Sequence, residues 1–341
     1  MGELKVTVVI ATKNRKEDLQ RALTSCLAQT MKPEIIVMDD GSTDGTMEMV
    51  RKEFPTVTLY RYATSSGPAA QRNRGVESSM GDIIVAMDDD AEFVSPRTIE
   101  QTLADFESPI IGAVAIPFIN VKQNNQVLQR APDRHGVYLT DAFVAAACAI
   151  RRDVFLRVGK FRECIVQYGE EEDLCIRLLN AGFITRLGNA EPIHHYESPK
   201  RVLRRMDILG ARNKVLFSWF NTPMPYVLIH LPGVIINRII FGFKVNRPSN
   251  ALVGIALGIS QIAKHFKERS PVGRETYRLF RRLRQVNELR TTKGEAPKAI
   301  IRKQTRLEDV PSEWMKKRQE RLYGCPVDCL NPTIFTPPGS R

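Results

Sequence analysis

The sequence predicts an α/β fold, a doubly wound and mostly parallel sheet followed by a C-terminal helical extension. Three observations carry that prediction. Short β-branched apolar runs alternate with amphipathic helical stretches through residues 5–90, as repeated β-α-β units with right-handed crossovers require. The first run, "KVTVVIAT" at 5–12, is apolar without interruption, as expected of a strand covered by helices on both faces. Polar residues gather where the runs end, and that is the rim at which open α/β sheets bind ligands.

The elements follow in order. After the first strand, Leu19, Ala22, Leu23, Cys26 and Leu27 recur at helical spacing, with Asn14 as the expected N-cap and Glu17 three places on. "EIIVMDD" (34–40) reads as a second strand, "GTMEMVRKEF" (45–54) as a helix and "TVTLYRY" (56–62) as a third strand. "PAAQRNRGVESS" (68–79) is the next helix and "DIIVAMDDD" (82–90) the fourth strand. Beyond residue 95 the pattern loosens. "IIGAVAIPFIN" (110–120) and "DAFVAAACAIRR" (141–152) read as strands or buried segments, "VFLRVGKF" as a short helix and turn, and "EEEDLCIRLLNAG" (170–182) as a helix closed by Gly182.

These elements divide the chain into an α/β domain (1–198), a basic helical extension (199–290) whose apolar segments are expected to break at Pro223, Pro225, Pro232 and Pro248, and a charged, Pro-containing tail (291–341) expected to be extended or partly disordered. The 341 residues are 43% hydrophobic, enough for a buried core. The net charge is +12, with Lys and Arg concentrated after residue 200 and again through 264–284, which points to anionic partners. Four of the six cysteines, Cys26, Cys148, Cys164 and Cys175, lie in apolar or helical stretches, where a reduced thiol behaves as a small hydrophobe and a reducing compartment is expected. Cys325 and Cys329 have no second Cys/His pair nearby to complete a zinc site. The amino terminus runs straight into a β-like segment, so a cytoplasmic location is expected. "YVLIHLPGVIINRIIFGF" (226–243) approaches membrane-spanning length but contains Pro232, His230 and Arg238; it is expected to lie in an interface or against protein.

The polar clusters suggest the chemistry. Thr12, Asn14 and Arg15 follow the first strand, Asp39, Asp40, Gly41 and Ser42 the second, and Asp88, Asp89 and Asp90 the fourth. Adjacent like charges repel unless a cation compensates them. On an extended segment Asp88 and Asp90 share one side and Asp89 points away, so the outer two suit a hard divalent ion that keeps positions open for phosphate. No "GxxxxGK[ST]" and no "GxGxxG" follows the first strand, which disfavours an ATPase or a dinucleotide enzyme.

Taken together, "VVIATKNR", "VMDDGSTDGT", "QRNRGVESSMGDIIVAMDDDAEF", "AIRRDVFLRVGKF" and "YGEEEDLCIRLLNAGF" resemble, in order and approximate spacing over residues 5–215, the family 2 glycosyltransferases, inverting enzymes with the GT-A fold. The resemblance implies a nucleotide-sugar site at Thr12, Asn14, Arg15, Asp40, Arg72, Asp88 and Asp89, with Asp40 accepting from the base and Arg72 near the diphosphate or base. It implies a DxD motif at Asp88 and Asp90, with Mn²⁺ or Mg²⁺ bridging the diphosphate, and a histidine reaching that ion, His195 or else His194. It aligns Glu171 with the family's catalytic aspartate, with Asp173 as the alternative base and Glu170 beside them at an acidic helix start. The implied donor is a UDP-, dTDP- or GDP-linked sugar, and the acceptor a glycan or lipid-linked hydroxyl, with no nucleic-acid partner; the basic helical extension itself is expected either to rest on the inner face of a membrane or to serve dimerisation or core packing.

Two departures stand out. Glu171 is one methylene longer than the usual aspartate, and Arg162 replaces an aspartate in "VGKFRE". The rival readings are a sugar-phosphate nucleotidyltransferase, whose glycine- and arginine-rich first loop "ATKNRKEDL" lacks, and an inactive sugar-nucleotide-binding scaffold.

Overall fold

In a computed structural model of the chain, residues 4–123, 125–197, 202–292 and 305–323 are described. A seven-stranded sheet runs in the order β10-β6-β9-β4-β1-β2-β3. Its first strands are β1 (Val6–Thr12), β2 (Glu34–Asp39), β3 (Thr58–Arg61) and β4 (Ile83–Asp88). They pair in parallel, with Ile10 opposite both Val37 and Met87. β6 (Ile111–Ala115) and β10 (Ile184–Leu187) continue the sheet. β9 (Ala147–Arg151) is antiparallel to both β4 and β6, so the sheet is mixed on that side. A second, four-stranded sheet, β5-β11-β7-β8, joins β5 (Ala91–Phe93), β7 (Phe118–Asn120), β8 (Val127–Leu128) and β11 (Ile193–His195).

The continuous apolar runs are explained by the two layers they feed. Val8, Ile10, Val37 and Val85 face one core with Leu19 and Leu23 of α1 (Lys16–Leu27). Val9, Ile36, Met38 and Ile84 face the other, with Val76 of α3 (Pro68–Ser78), Phe155 of α5 (Arg152–Arg157) and Leu178 of α6 (Glu170–Asn180). Burying each such side chain contributes about 1.5–3 kcal/mol. α3 lies so close to β1 that a Cβ on Gly75 would meet Val9 Cγ1 at 2.4 Å. The remaining helices of this part are α2 (Thr46–Glu53) and α4 (Thr98–Ala104).

The start of α1 differs from expectation. Asn14 does not cap the helix; it takes a left-handed φ of +53° and its Oδ1 accepts the N–H of Thr43. Asp44, from the loop after β2, accepts the N–H of Lys16 and that of Thr46, so one carboxylate holds the starts of both α1 and α2.

The extension comprises α7 (Leu203–Asn221), α8 (Val227–Lys244), α9 (Pro248–Lys264) and α10 (Arg274–Thr292). Pro223 and Pro225 separate α7 from α8 and Pro248 opens α9, but Pro232 lies inside α8 without ending it. Only one backbone donor is lost there, and the packing of α8 against α7 and α9 outweighs it. The tail differs more. Residues 305–323 return to the α/β domain and form α11 (Ser312–Tyr323). Val310 and Trp314 are buried, Leu139 donates to the carbonyl of Thr305, and Arg318 donates to that of Gly182. Two apolar anchors fix a segment whose charged composition suggested an extended arm. The expected boundary at 198, Cys325 and Cys329 lie outside the described residues.

Candidate active site

The end of β4 carries the three aspartates. Asp89 turns into the protein, where its Oδ2 accepts from Thr12 Oγ1 (2.8 Å) and its Oδ1 from Arg15 Nη1 (2.8 Å). Burial pushes its carboxyl up to about 7, with Arg15 pulling against it. Thr12 and Asp89 tie β1 to the tip of β4. Arg15 also reaches Asp90 Oδ2 at 2.9 Å, so the cation expected to face a nucleotide already neutralises two of the acids.

Asp88 and Asp90 turn the other way and meet His195. Its Nε2 lies 3.3 Å from Asp90 Oδ1 and 4.0 Å from Asp88 Oδ2. β11 places it there by pairing antiparallel with β5, which sets His195 opposite Ala91. His194, the alternate ligand, points to the opposite side of the strand, toward Glu92 (3.9 Å) and the edge of Tyr196. It is not part of the cluster. His195 Nδ1 lies 3.0 Å from Asn120 Oδ1, and Asn120 Nδ2 donates to Gln123. This orients the amide oxygen at the ring, assigns the proton to Nδ1, and aims the Nε2 lone pair at the carboxylates. Burial opposes protonation of His195, but Asp90 and Asp88 raise its affinity for a proton overall. Asp90 Oδ1 is buried and accepts no well-formed hydrogen bond.

Two acceptors facing each other at 3.3 Å require a proton or a cation between them. One ligand atom each from Asp88, Asp90 and His195 lies within 4.8 Å of the others. Two carboxylates and an imidazole oriented by an outer amide fit a divalent ion such as Mn²⁺.

The loop after β2 places Asp40 beside the start of α3. Asp40 Oδ1 accepts from Ser66 N–H (2.8 Å) and Gln71 Nε2 (2.5 Å), and Oδ2 from Ser65 Oγ (2.5 Å) and Gly67 N–H (3.1 Å). A carboxylate has about four lone-pair sites, and all are taken by the protein. Asp40 thereby shapes the 65–67 turn that starts α3. Burial alone would raise its carboxyl; these donors hold it below the usual range.

Arg72, on α3, is buried rather than an exposed helix cation. Nη2 donates to Asp88 Oδ1 and Nη1 lies 3.5 Å from Glu170 Oε1. One guanidinium thus joins the β4 tip to the acidic start of α6. Glu170 is buried and its Oε2 has no hydrogen-bond partner. Burial, and then the neighbouring charge of Glu171, push its carboxyl well above the usual range against the pull of Arg72. Glu171 is half-buried and accepts a long hydrogen bond from Gly169 N–H at 3.4 Å. Asp173 is fully buried, accepting from Arg162 Nη1 (2.8 Å), Asn221 Nδ2 (2.7 Å) and Arg177 Nε (2.9 Å). These three donors enclose its carboxylate. Arg162, the departure noted in the sequence, is one of its partners.

Arg204 and Arg205 are exposed and do not join this cluster; with Val166, Val202, Ile208 and Leu209 they line a cavity of about 440 Å³. A larger cavity of about 790 Å³, between Leu4–Val6, Glu34 and Gly81, lies at the amino ends of the strands, opposite the acidic tip.

Residues 7–160 match the sequence model of glycosyl transferase family 2. Over those residues the chain is similar to the family 2 glycosyltransferases. Among relatives, a pre-mycofactocin glycosyltransferase of Mycobacterium tuberculosis is 29% identical over 196 residues, 52% of this chain and 39% of that protein. Glycosyltransferase AglE of Haloferax volcanii is 34% identical over 186 residues, 48% of this chain and 58% of the relative. The chain thus spans about two-fifths of the length of the Mycobacterium relative. The GT-A architecture is shared with a mannosyltransferase from Pyrobaculum calidifontis solved with GDP-Man and Mn²⁺ (TM-score 0.53, 18% identity, 94% of this chain and 88% of that one). It is also shared with GalNAc-T7 solved with UDP, GalNAc and Mn²⁺ (TM-score 0.54, 15% identity, 80% and 59%). Within the matched residues, Asn120 had no motif to announce it. Its role follows only from the pairing of β7 with β11, which sets Asn120 opposite His195.

Proposed function

We propose that this domain transfers a sugar, with inversion, from a nucleoside-diphosphate donor to a hydroxyl of a glycan or lipid-linked acceptor. The observation that carries the reading is the convergence of Asp88, Asp90 and His195 at the carboxyl ends of the sheet, joined through Arg72 to the acidic start of α6. Asp88, Asp90 and His195 would hold a divalent ion, Mn²⁺ or Mg²⁺, which when bound would stabilise the charge on the departing diphosphate. Arg15 and Arg72 hold the acids in place. Glu171, half-exposed on the helix start, takes the acceptor proton as the hydroxyl attacks the anomeric carbon. Glu170 keeps a proton more firmly than an ordinary carboxyl and stands beside Glu171 at the helix start. The neighbours' complexes with GDP-Man and with UDP support a nucleotide-sugar donor.

The test is nucleoside-diphosphate release from a panel of sugar nucleotides with Mn²⁺, alongside thermal-shift binding. Glu171→Gln keeps the donor-induced shift and stops transfer, and Asp90→Ala removes the Mn²⁺-dependent part of the shift. Persistent turnover by Glu171→Gln would move the base elsewhere. Nucleotide transfer from a nucleoside triphosphate to a sugar phosphate would favour the nucleotidyltransferase reading.

A further inference from the structure

No Asp or Glu occurs between Asp207 and Glu268, a stretch that holds seven Lys or Arg residues and all of α8 and α9. These helices form a hairpin whose inner side is packed. Cβ atoms added to Gly254 and Gly258 would meet the Ile208 carbonyl at 2.4 Å and Val215 at 2.8 Å, so α9 sits directly on α7. A Cβ on Gly242 would meet Ala251 at 2.8 Å, so α8 sits directly on α9. α7 is in turn fixed to the catalytic domain by Lys214 Nζ on Glu172 (2.6 Å).

The outer side is apolar and open. Ile229 is 80% exposed, Ile236 55%, Ile240 59% and Phe243 66%, falling along one face of α8; Leu252 (53%) and Ile259 (52%) continue it on α9. Apolar surface on this scale marks an interaction site. The exposed cations Lys244, at one end of the hairpin, and Lys264 and Lys267, at the other, rim that face.

We propose that the outer face of α8 and α9 docks on a bilayer surface containing anionic lipid. Charge decides the occupant. A second copy would bring the same acid-free, cation-rimmed face against itself, whereas anionic headgroups complement the rim and acyl chains receive the apolar stripe.

The hairpin lies on the membrane rather than crossing it. By length and composition α8 could span, with a mean hydropathy of 1.5. Both of its ends, however, are tied to other helices of the extension, α10 and α7. At its start Tyr226 stacks on Tyr277 with ring centres 5.2 Å apart, and just beyond its end Arg247 Nε pairs with Asp207 at 2.6 Å. The docking does not depend on glycosyl transfer and is measured without donor or acceptor.

Full-length protein is sedimented with vesicles of phosphatidylcholine alone and of phosphatidylcholine with roughly a third phosphatidylglycerol. The wild type partitions to the anionic vesicles, and Ile236→Glu/Ile240→Glu lowers that partition at least about tenfold while circular dichroism and thermal unfolding match the wild type. Lys244→Glu/Lys264→Glu/Lys267→Glu removes the preference for anionic over neutral lipid. Failure of the wild type to bind anionic vesicles overturns the proposal, as does unchanged binding by both variants. A stable dimer in light scattering that Ile236→Glu/Ile240→Glu dissolves, without vesicle binding, assigns the face to a second copy and overturns it too.

Discussion

Replacing Asp173 with Asn separates a structural carboxylate from a catalytic one within a single turn of α6. Asp173 is wholly buried, and its two oxygens accept from Arg162, Asn221 and Arg177 at 2.7–2.9 Å. The arginine side chains are themselves only 13% and 11% exposed. Removing the charge leaves two guanidinium groups without their carboxylate in a poorly solvated site and turns one acceptor oxygen into a donor. Breaking a buried pair in this way costs about 3–5 kcal/mol, and at about 2–4 °C per kcal/mol the midpoint falls by roughly 6–20 °C. Thermal unfolding of Asp173→Asn, measured beside Glu171→Gln, checks the assignment. Glu171→Gln is expected to unfold within about 2 °C of the wild type, since it removes only one long hydrogen bond. An Asp173→Asn variant that keeps the wild-type midpoint but loses transfer would refute the reasoning and make Asp173 the base.

Two further predictions concern neighbouring groups. Asn120→Ala frees the His195 ring to turn and change tautomer, so Mn²⁺ affinity by calorimetry drops about 10- to 100-fold with the fold intact; unchanged affinity would show that Asn120 does not position the ligand. Glu170 binds its proton more tightly folded than unfolded, so the folded chain carries the extra proton between the unfolded pKa near 4.5 and the raised folded value. Stability from this group is complete below that window and is lost as pH rises through it. Glu170→Gln therefore raises the unfolding midpoint relative to wild type at about pH 8 and not at about pH 4.5; parallel profiles would count against a raised pKa.

Local pattern carried a great deal of this. The uninterrupted apolar strands, their alternation with amphipathic helices and the acids at their ends are short-range facts, and in a parallel α/β sheet they fix both which faces are buried and which rim is polar. The aspartate triplet could be divided correctly into an inward Asp89 and an outward Asp88 and Asp90 because side chains alternate along extended backbone. Composition likewise marks the helical stretch between Asp207 and Glu268, which holds no Asp or Glu.

What local pattern could not supply was the pairing of segments far apart in the chain. A choice between His194 and His195 needs the register of β11 on β5, more than a hundred residues away. Asn120 gains its role only by lying beside that same strand. Asp40 and Asp173 stand in motifs that resemble ligand-binding and catalytic positions, yet Gln71 and Asn221, brought in by other helices, help to saturate them. The tail shows the same limit, because Val310 and Trp314 are too few to form a periodic signal but suffice once a ready apolar surface is there to receive them. Sequence determined which residues could act and on which rim they would gather; the tertiary structure decided which remained unpartnered, because a side chain's partners are set by long-range packing.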